Sequence, residues 1–307
     1  MTPAVHRRIA TLGGLFAAGR VLALTGAGIS TDSGIPDYRD ATGRMRHASP
    51  MTFQRFTGSL DERRRYWARS HLGWSRIALA RPNAAHHAVA RLQRSGRLSG
   101  VVTQNVDGLH SAAGARDVID LHGRLDTVVC LDCGGRRPRL ELGLRLDAVN
   151  PGFRDLLAAG VALQRPDGDV VLPDAAVAGF QVVACRRCDG TLKPDVVFFG
   201  EHVPAERFRS ALGLLDRSAG LLVLGSSLMV GSGFRFVTAA VRRGLPVAIV
   251  THGVTRGDRH ATVKIDAPLG EVLPALEGLL TGAATVHSTG RSTVCPVPPD
   301  QVAAPAG

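Results

Sequence analysis

Lysine is nearly missing from this chain: of its 37 basic residues, only Lys193 and Lys264 are not arginine. Acid is missing from the first 31 positions, which carry three arginines, and again from positions 63–106, which carry nine. Aromatic side chains amount to 5%, with two Trp and two Tyr among 307 residues. No apolar run approaches the ~20 residues that a membrane-spanning helix needs, so no membrane span is expected. No secretory signal is expected. The acid-free start has the composition of a transit peptide, but an apolar run already begins at Val21. The room before it fits one amphipathic helix carrying Val5, Ile9, Leu12, Leu15 and Phe16, and we assign that segment to the fold. The net charge of +11 can attract nucleic acid, acidic proteins or anionic substrates. No motif of a nucleic-acid-binding fold accompanies it, so we read a solvated basic face and expect neither nucleic acid nor membrane as a partner.

What the chain does have is an alternation of short apolar runs and amphipathic stretches. Strands are predicted over 21–24, 98–103, 117–121, 196–200, 220–224, 245–250 and 262–265. Helices are predicted over 51–69, 82–94, 204–216, 232–243 and 269–280. Such alternation implies an α/β fold with a Rossmann-like, doubly wound parallel sheet. Between 123 and 192 the character changes to two cysteine pairs, several prolines and no sustained periodicity, which marks a second, smaller module. The expected division is a discontinuous large domain (1–45, 75–122 and 193–282) and a small helical, zinc-binding one (46–74 with 123–192). Phe53, Phe56, Leu60 and Tyr66 are candidate buried positions of the 51–69 helix. Tyr66-Trp67-Ala68-Arg69 and Gly73-Trp74 read as local core. Residues 283–307, rich in Ala, Pro, Ser, Thr and Gly, are expected to be disordered.

The first strand breaks at Gly26-Ala27-Gly28, where small residues let the backbone turn sharply and bring its N–H groups against a ligand. A strand followed by such a turn is the usual cradle of a pyrophosphate. The third glycine of the dinucleotide fingerprint is not at its usual spacing, so the turn alone also fits a plain tight connection. Its continuation through Ser30, Ser33, Asp37, Tyr38 and Arg39 suits a ligand-covering loop. The second strand runs into Gln104-Asn105-Val106-Asp107, the third into His122-Gly123, and a later one into Gly225-Ser226-Ser227. Together these strand ends can line one crevice. His122 suits a general base there, because an imidazole titrates near operating pH; the bland alternative is a structural histidine. Asn105 and Asp107 alternate so that both can face a ligand, or they cap the strand end. Residues 195–200 are either a core strand or an edge that pairs with an extended peptide. His86 and His87 fall in a helix, and His110 is expected to pack.

Five cysteines remain: Cys130, Cys133, Cys185, Cys188 and Cys295. Without a secretory signal a reducing, cytoplasmic compartment is expected, bacterial by its arginine-rich composition, and disulfides are then the poorer explanation. Cys130-x-x-Cys133 and Cys185-x-x-Cys188 each form a knuckle, and two knuckles supply the closed tetrahedral thiolate set of one structural Zn²⁺. Four thiolates leave no open position, so the metal holds a module together and does no chemistry.

Taken in order, Gly26-Ala27-Gly28-Ile29-Ser30, Gly34-Ile35-Pro36-Asp37-Tyr38-Arg39, Thr103-Gln104-Asn105-Val106-Asp107, Leu121-His122-Gly123, the two cysteine pairs, Lys193-Pro194-Asp195-Val196-Val197-Phe198-Phe199-Gly200-Glu201 and Gly225-Ser226-Ser227-Leu228 resemble the sirtuin family over residues 20–282. Tyr38, Tyr66-Trp67-Ala68-Arg69, Gly73-Trp74 and Pro166-Asp167-Gly168-Asp169 resemble its class II branch. The resemblance implies an NAD-consuming protein-lysine deacylase that releases nicotinamide and O-acyl-ADP-ribose, with acyl-lysine proteins as substrates. It implies His122 as the base, with Asn105 and Asp107 holding ribose and carboxamide. Gly26, Ala27, Gly28, Ser30, Asp37, Tyr38, Arg39, Gln104, Gly225, Ser226 and Ser227 would bind the rest of NAD. Val197, Phe198 and Gly200 would clamp the peptide. Where sirtuins usually have Asn facing the adenosine ribose, this chain has Thr251-His252, and Thr251 can bond a ribose hydroxyl only at shorter reach. The loop after Arg39 holds no Tyr-x-x-Arg pair of the sort associated with succinyl-lysine preference, although Arg44 and Arg46 lie where they would favour an acidic acyl group. Other activities that fit the resemblance are mono-ADP-ribosyl transfer and lipoamide-type deacylation, and outside enzymes an NAD-sensing binding module.

Overall fold

The computed structural model describes residues 1–46, 50–157, 170 and 172–282. The expectations on Pro166-Asp167-Gly168-Asp169 and on 283–307, Cys295 included, fall outside them. The described strands are β1 (Val21–Thr25), β2 (Leu98–Thr103), β3 (Val118–Asp120), β4 (Gly123–Cys130), β5 (Arg136–Pro138), β6 (Leu192–Val196), β7 (Gly220–Leu224), β8 (Val247–Val250) and β9 (Val263–Ile265). The helices are α1 (Pro3–Gly14), α2 (Phe53–Gly58), α3 (Leu60–Leu79), α4 (Ala84–Arg94), α5 (Leu109–Ala112), α6 (Arg139–Val149), α7 (Asp174–Ala178), α8 (Ala205–Asp216), α9 (Gly231–Arg242) and α10 (Leu269–Thr281). Among the described residues no helix is long and apolar enough to cross a membrane.

Six strands form a parallel sheet in the order β3-β2-β1-β7-β8-β9. All five residues of β1 are buried, as expected of a strand covered on both faces. Val21 and Ala23 face a core built with Ile9, Leu12, Val89 and Leu273, so α1, α4 and α10 cover that side. Leu22 and Leu24 face Phe208, Leu215 and Phe236, the apolar stripes of α8 and α9. The chain leaves β1 toward β2 and β3 on one side and returns through β7 to β9 on the other. The switch point therefore lies between β1 and β7, where a doubly wound sheet opens its ligand crevice at the carboxyl ends.

Sequence and structure part company in three places. The strand expected over 196–200 does not extend the parallel sheet. Its observed counterpart, β6, pairs antiparallel with β4, which pairs with β5, in a separate three-stranded sheet. The small module is also more regular than its prolines suggest, since it contains β4, β5 and α6. The helix expected over 51–69 is two: Ser59 is extended, its Oγ accepts from Glu62 N at 3.4 Å, and α3 then runs on to Leu79. That break turns Leu60 outward, 48% exposed, whereas Phe56, Tyr66 and Trp67 are buried. α2 and α3 share an apolar cluster with Leu125, Val128, Leu192 and Phe198, so the aromatic patch is local core as expected. Several arginines of the acid-free stretch are committed: Arg91 pairs with Glu277, Arg64 with Asp61 and Arg65 with Asp174.

Candidate active site

The glycine turn after β1 and the one after β7 interlock. Gly26 N donates to Leu224 O at 3.0 Å and Gly28 N to Gly225 O at 2.8 Å. Gly225 has φ +61°, and a Cβ on it would sit 2.5 Å from Ile29 N, so only glycine lets the two strand ends approach this closely. The turns floor a cavity of about 740 Å³ at the switch point. Every residue proposed from the sequence for cofactor, catalysis or peptide lines it: Gly26, Ala27, Gly28, Ser30, Asp37, Tyr38 and Arg39; Gln104, Asn105, Asp107 and His122; Val197, Phe198 and Gly200; Gly225, Ser226, Ser227 and Thr251.

Behind Gly26, the buried side chains are held by one another. Asn105 Nδ2 donates to Gly26 O and to Ser30 Oγ, both at 3.1 Å, and Ser30 Oγ donates to Asp107 Oδ2 at 2.7 Å. Burial raises the Asp107 carboxyl, with the Leu109 N–H and the Ser30 hydroxyl acting against it. His110 packs as expected. Its Nε2 meets Thr25 Oγ1 at 2.9 Å, and its ring lies 5.0 Å from that of His86. Burial lowers His86 to about 3 and His110 to about 4, so both are neutral props beneath the polar floor. Asn83 caps α4 and ties down the covering loop, donating to Ile29 O at 2.8 Å and to Ser33 Oγ at 3.0 Å.

His122 sits where the two sheets meet. Its Nδ1 is 2.9 Å from Gln104 O and its Nε2 is 2.7 Å from Ser232 Oγ. A carbonyl only accepts, so Nδ1 carries the ring proton and Nε2 keeps the lone pair. Burial lowers the imidazole to about 4; the Gln104 carbonyl opposes this and Arg207 adds to it. The ring is therefore a neutral base whose Nε2 lone pair accepts from Ser232. Val197 N donates to His122 O at 2.8 Å, which locks the base to the 197–200 segment. Gly123, at φ +82°, makes that crossing possible: a Cβ there would lie 1.9 Å from Asp195 O.

The 197–200 segment is braced from behind by Lys193, 3% exposed. Its Nζ donates to Pro194 O, Val196 O and Glu201 Oε2, the last at 3.0 Å, and it stands 4.6 Å from the Phe198 ring centre. Burial lowers its pKa, and Glu201 opposes the shift. Glu201 Oε2 also accepts from Phe198 N at 2.8 Å. Removing one partner of a buried ion pair is costly. Glu201→Gln is therefore expected to raise the KM for an acylated peptide by about tenfold, the equivalent of about 1.4 kcal/mol, with the KM for NAD nearly unchanged. Initial-rate kinetics in both substrates checks this.

Several lining residues escaped sequence reasoning. Tyr66, which the sequence places in the core, also lines the cavity, as do Met51, Phe199 and Ser232. Of the two arginines connected with acidic acyl groups, Arg44 is exposed and outside the lining, and Arg46 lines the cavity paired with Asp37 at 2.6 Å.

The four cysteines of the two knuckles form a second centre, with all Sγ atoms within 4.8 Å of one another. The Cys130–Cys188 and Cys133–Cys185 sulfur separations are 3.6 and 3.9 Å. Tetrahedral Zn–S bonds of about 2.3 Å require sulfurs about 3.8 Å apart, so the set fits one Zn²⁺. The cluster joins the β4–β5 connection to the turn that leads into β6.

A crevice of this shape beside a four-thiolate module defines an NAD-binding α/β enzyme with a structural zinc, and comparison with known proteins agrees. The Sir2 family model matches residues 26–232. NAD-dependent protein deacetylase 1 of Streptomyces coelicolor is 56% identical over 256 residues, covering 83% of this chain and 84% of that one. The NAD-dependent protein deacetylase of Xanthomonas campestris pv. campestris is 53% identical over 273 residues, covering 88% and 92%. The solved structure "Sir2-p53 peptide-NAD+" superposes with a TM-score of 0.67 at 30% identity, covering 90% of this chain and 98% of that one. The chain belongs to the Sir2 family.

Proposed function

We propose that this protein is an NAD-dependent protein-lysine deacylase that moves the acyl group of a modified lysine onto ADP-ribose and releases nicotinamide. The observation that carries the reading is the placement of His122. A neutral imidazole whose Nε2 keeps the lone pair, accepting from Ser232, lines the same cavity as the β1–β7 glycine turns and the 197–200 edge. NAD, when bound, supplies the ADP-ribosyl acceptor and nicotinamide as leaving group.

The chain's own residues divide the work. The backbone of Gly26, Ala27, Gly28 and Gly225 and the hydroxyls of Ser226 and Ser227 suit phosphates and ribose, and the Arg39 guanidinium supplies positive charge. Thr251 serves the adenosine end and Gln104 the ribose hydroxyls. Asn105 and Asp107, fixed through Ser30, suit carboxamide and ribose at the inner end. Val197, Phe198 and Gly200 hold the acyl-lysine segment, and the apolar wall of Tyr66, Met51 and Phe198 excludes water from the acyl group. His122 Nε2 takes the proton of a ribose hydroxyl as that oxygen attacks the acyl carbon. The acyl carbonyl oxygen takes the place of nicotinamide on the ribose, one water is consumed as the lysine nitrogen leaves protonated, and the products are free lysine, nicotinamide and O-acyl-ADP-ribose. We place the reaction in a bacterial cytoplasm, consistent with bacterial relatives and a thiolate metal set.

Because the neutral ring is the active form, its loss follows protonation. Deacylation kcat/KM should stay level as pH falls through the ordinary histidine value of 6.5 and drop only toward about 4. A limb centred near 6.5 would contradict a burial-lowered His122. The direct test is nicotinamide release from NAD with a panel of acyl-lysine peptides. Release that requires the peptide, matched by deacylated peptide, supports the reading. Release matched by ADP-ribose mass on protein points to ADP-ribosyl transfer, and NAD binding without release points to a sensor.

A further inference from the structure

Among the described residues, Ser232 is the side chain bonded to Nε2 of His122, and nothing in the deacylase reading accounts for it. It stands in the first turn of α9, in Gly231-Ser232-Gly233. The approach that brings it there is tight. A Cβ on Gly233 would lie 2.3 Å from Gln104 Oε1, and Gln104 is itself fixed by donating to Ser226 Oγ at 2.7 Å. Gln104 and α9 thus hold the ring from both ends, with the Gln104 carbonyl on Nδ1 and the Ser232 hydroxyl on Nε2.

With Nδ1 committed to a carbonyl, Nε2 must be the acceptor and Ser232 Oγ the donor. The same lone pair must later receive the proton of the ribose hydroxyl, and the ring has no other. We infer that Ser232 is a positioning residue for the acyl-transfer step: its hydroxyl holds the His122 ring at the angle that keeps Nε2 facing the cavity, and yields the lone pair when the reacting hydroxyl arrives. The inference rests on the deacylase reading and separates its two steps, because departure of nicotinamide needs no base and acyl transfer does. Donation to the lone pair also favours the unprotonated ring. Arg207 on α8 is the charged group that acts on the ring; Arg235 on α9, Glu201 and His202 after β6, and Asp107 after β2 line the same cavity. None of these is bonded to Nε2.

The test measures nicotinamide base exchange and deacylation side by side in wild type, Ser232→Ala and Ser232→Thr, each checked for folding by thermal melting. Ser232→Ala is expected to raise the ratio of exchange to deacylation on the order of tenfold, about the worth of one hydrogen bond to the base. It should also shift the acid limb of deacylation to higher pH. Ser232→Thr, which keeps the hydroxyl, should lie closer to wild type on both readouts. A wild-type ratio in Ser232→Ala, faster deacylation in it, or equal shifts in both variants would overturn the inference. A wild-type protein that neither exchanges nor deacylates would instead remove the deacylase reading beneath it.

Discussion

Replacing His122 with Phe is expected to lower deacylation by about 10²–10⁴-fold, the usual worth of a positioned base, and to leave nicotinamide exchange the less affected step. The expectation follows from geometry. The His122 ring bonds the β2 strand end at Gln104 O, while its backbone carbonyl accepts from Val197 N of the peptide segment. A phenyl ring fills the space but has no lone pair, so the ribose hydroxyl would keep its proton while the floor of Asn105, Ser30 and Asp107 stays intact. Measuring both reactions on one preparation separates the roles. Equal losses in exchange and deacylation would mean that His122 shapes the cavity rather than serving as its base.

The second large effect concerns the metal. Cys185→Ser, or zinc removal by chelation, is expected to unfold the small module and to abolish activity without touching any residue of the cavity. Structural zinc supplies about 10–16 kcal/mol in isolated zinc-finger peptides, a scale that exceeds what a loop-rich module can replace by packing alone. Here the metal closes two knuckles, with Cys130 N bonded to Gly135 O and Cys185 N to Gly190 O, both at 2.9 Å. The second knuckle leads directly into β6 and then into Val197, Phe198 and Gly200, so its loss releases the substrate edge. The module also packs on α2 and α3 through one apolar cluster. Hydrogen exchange should therefore show fast amides across β4, β5 and β6 while β1 and β7 stay protected, and zinc content should fall from one per chain. Full protection and activity in Cys185→Ser would contradict this account.

Much of this was legible because the physics was local. A short continuous apolar run such as 21–24 or 220–224, too brief for a helix and soon followed by glycine, fits a strand buried on both faces, and the polar residues that follow each run mark the crevice. The cysteine knuckles were legible from spacing alone, since tetrahedral thiolate coordination needs two close pairs. The misplaced strand at 196–200 shows the limit: an apolar run with a glycine exit reads the same in either sheet, and its antiparallel partner β4 is a half-buried strand with weaker patterning. The break at Ser59 was readable, because Ser59-Leu60-Asp61-Glu62 carries the helix-start pattern, but the apolar period across it hid the signal. Tyr66 was assigned to core because burial and cavity lining ask for the same side chain. Ser232 had no local signal at all, since its partner lies 110 positions away.

The most direct test of the central claim is where the acyl group goes. Incubation of the protein with NAD and one acetyl-lysine peptide, followed by mass spectrometry of every product, should give free-lysine peptide, nicotinamide and acetylated ADP-ribose in equal amounts. Free acetate in place of acetylated ADP-ribose, or ADP-ribose mass added to peptide or protein, would contradict transfer of the acyl group to the sugar through His122.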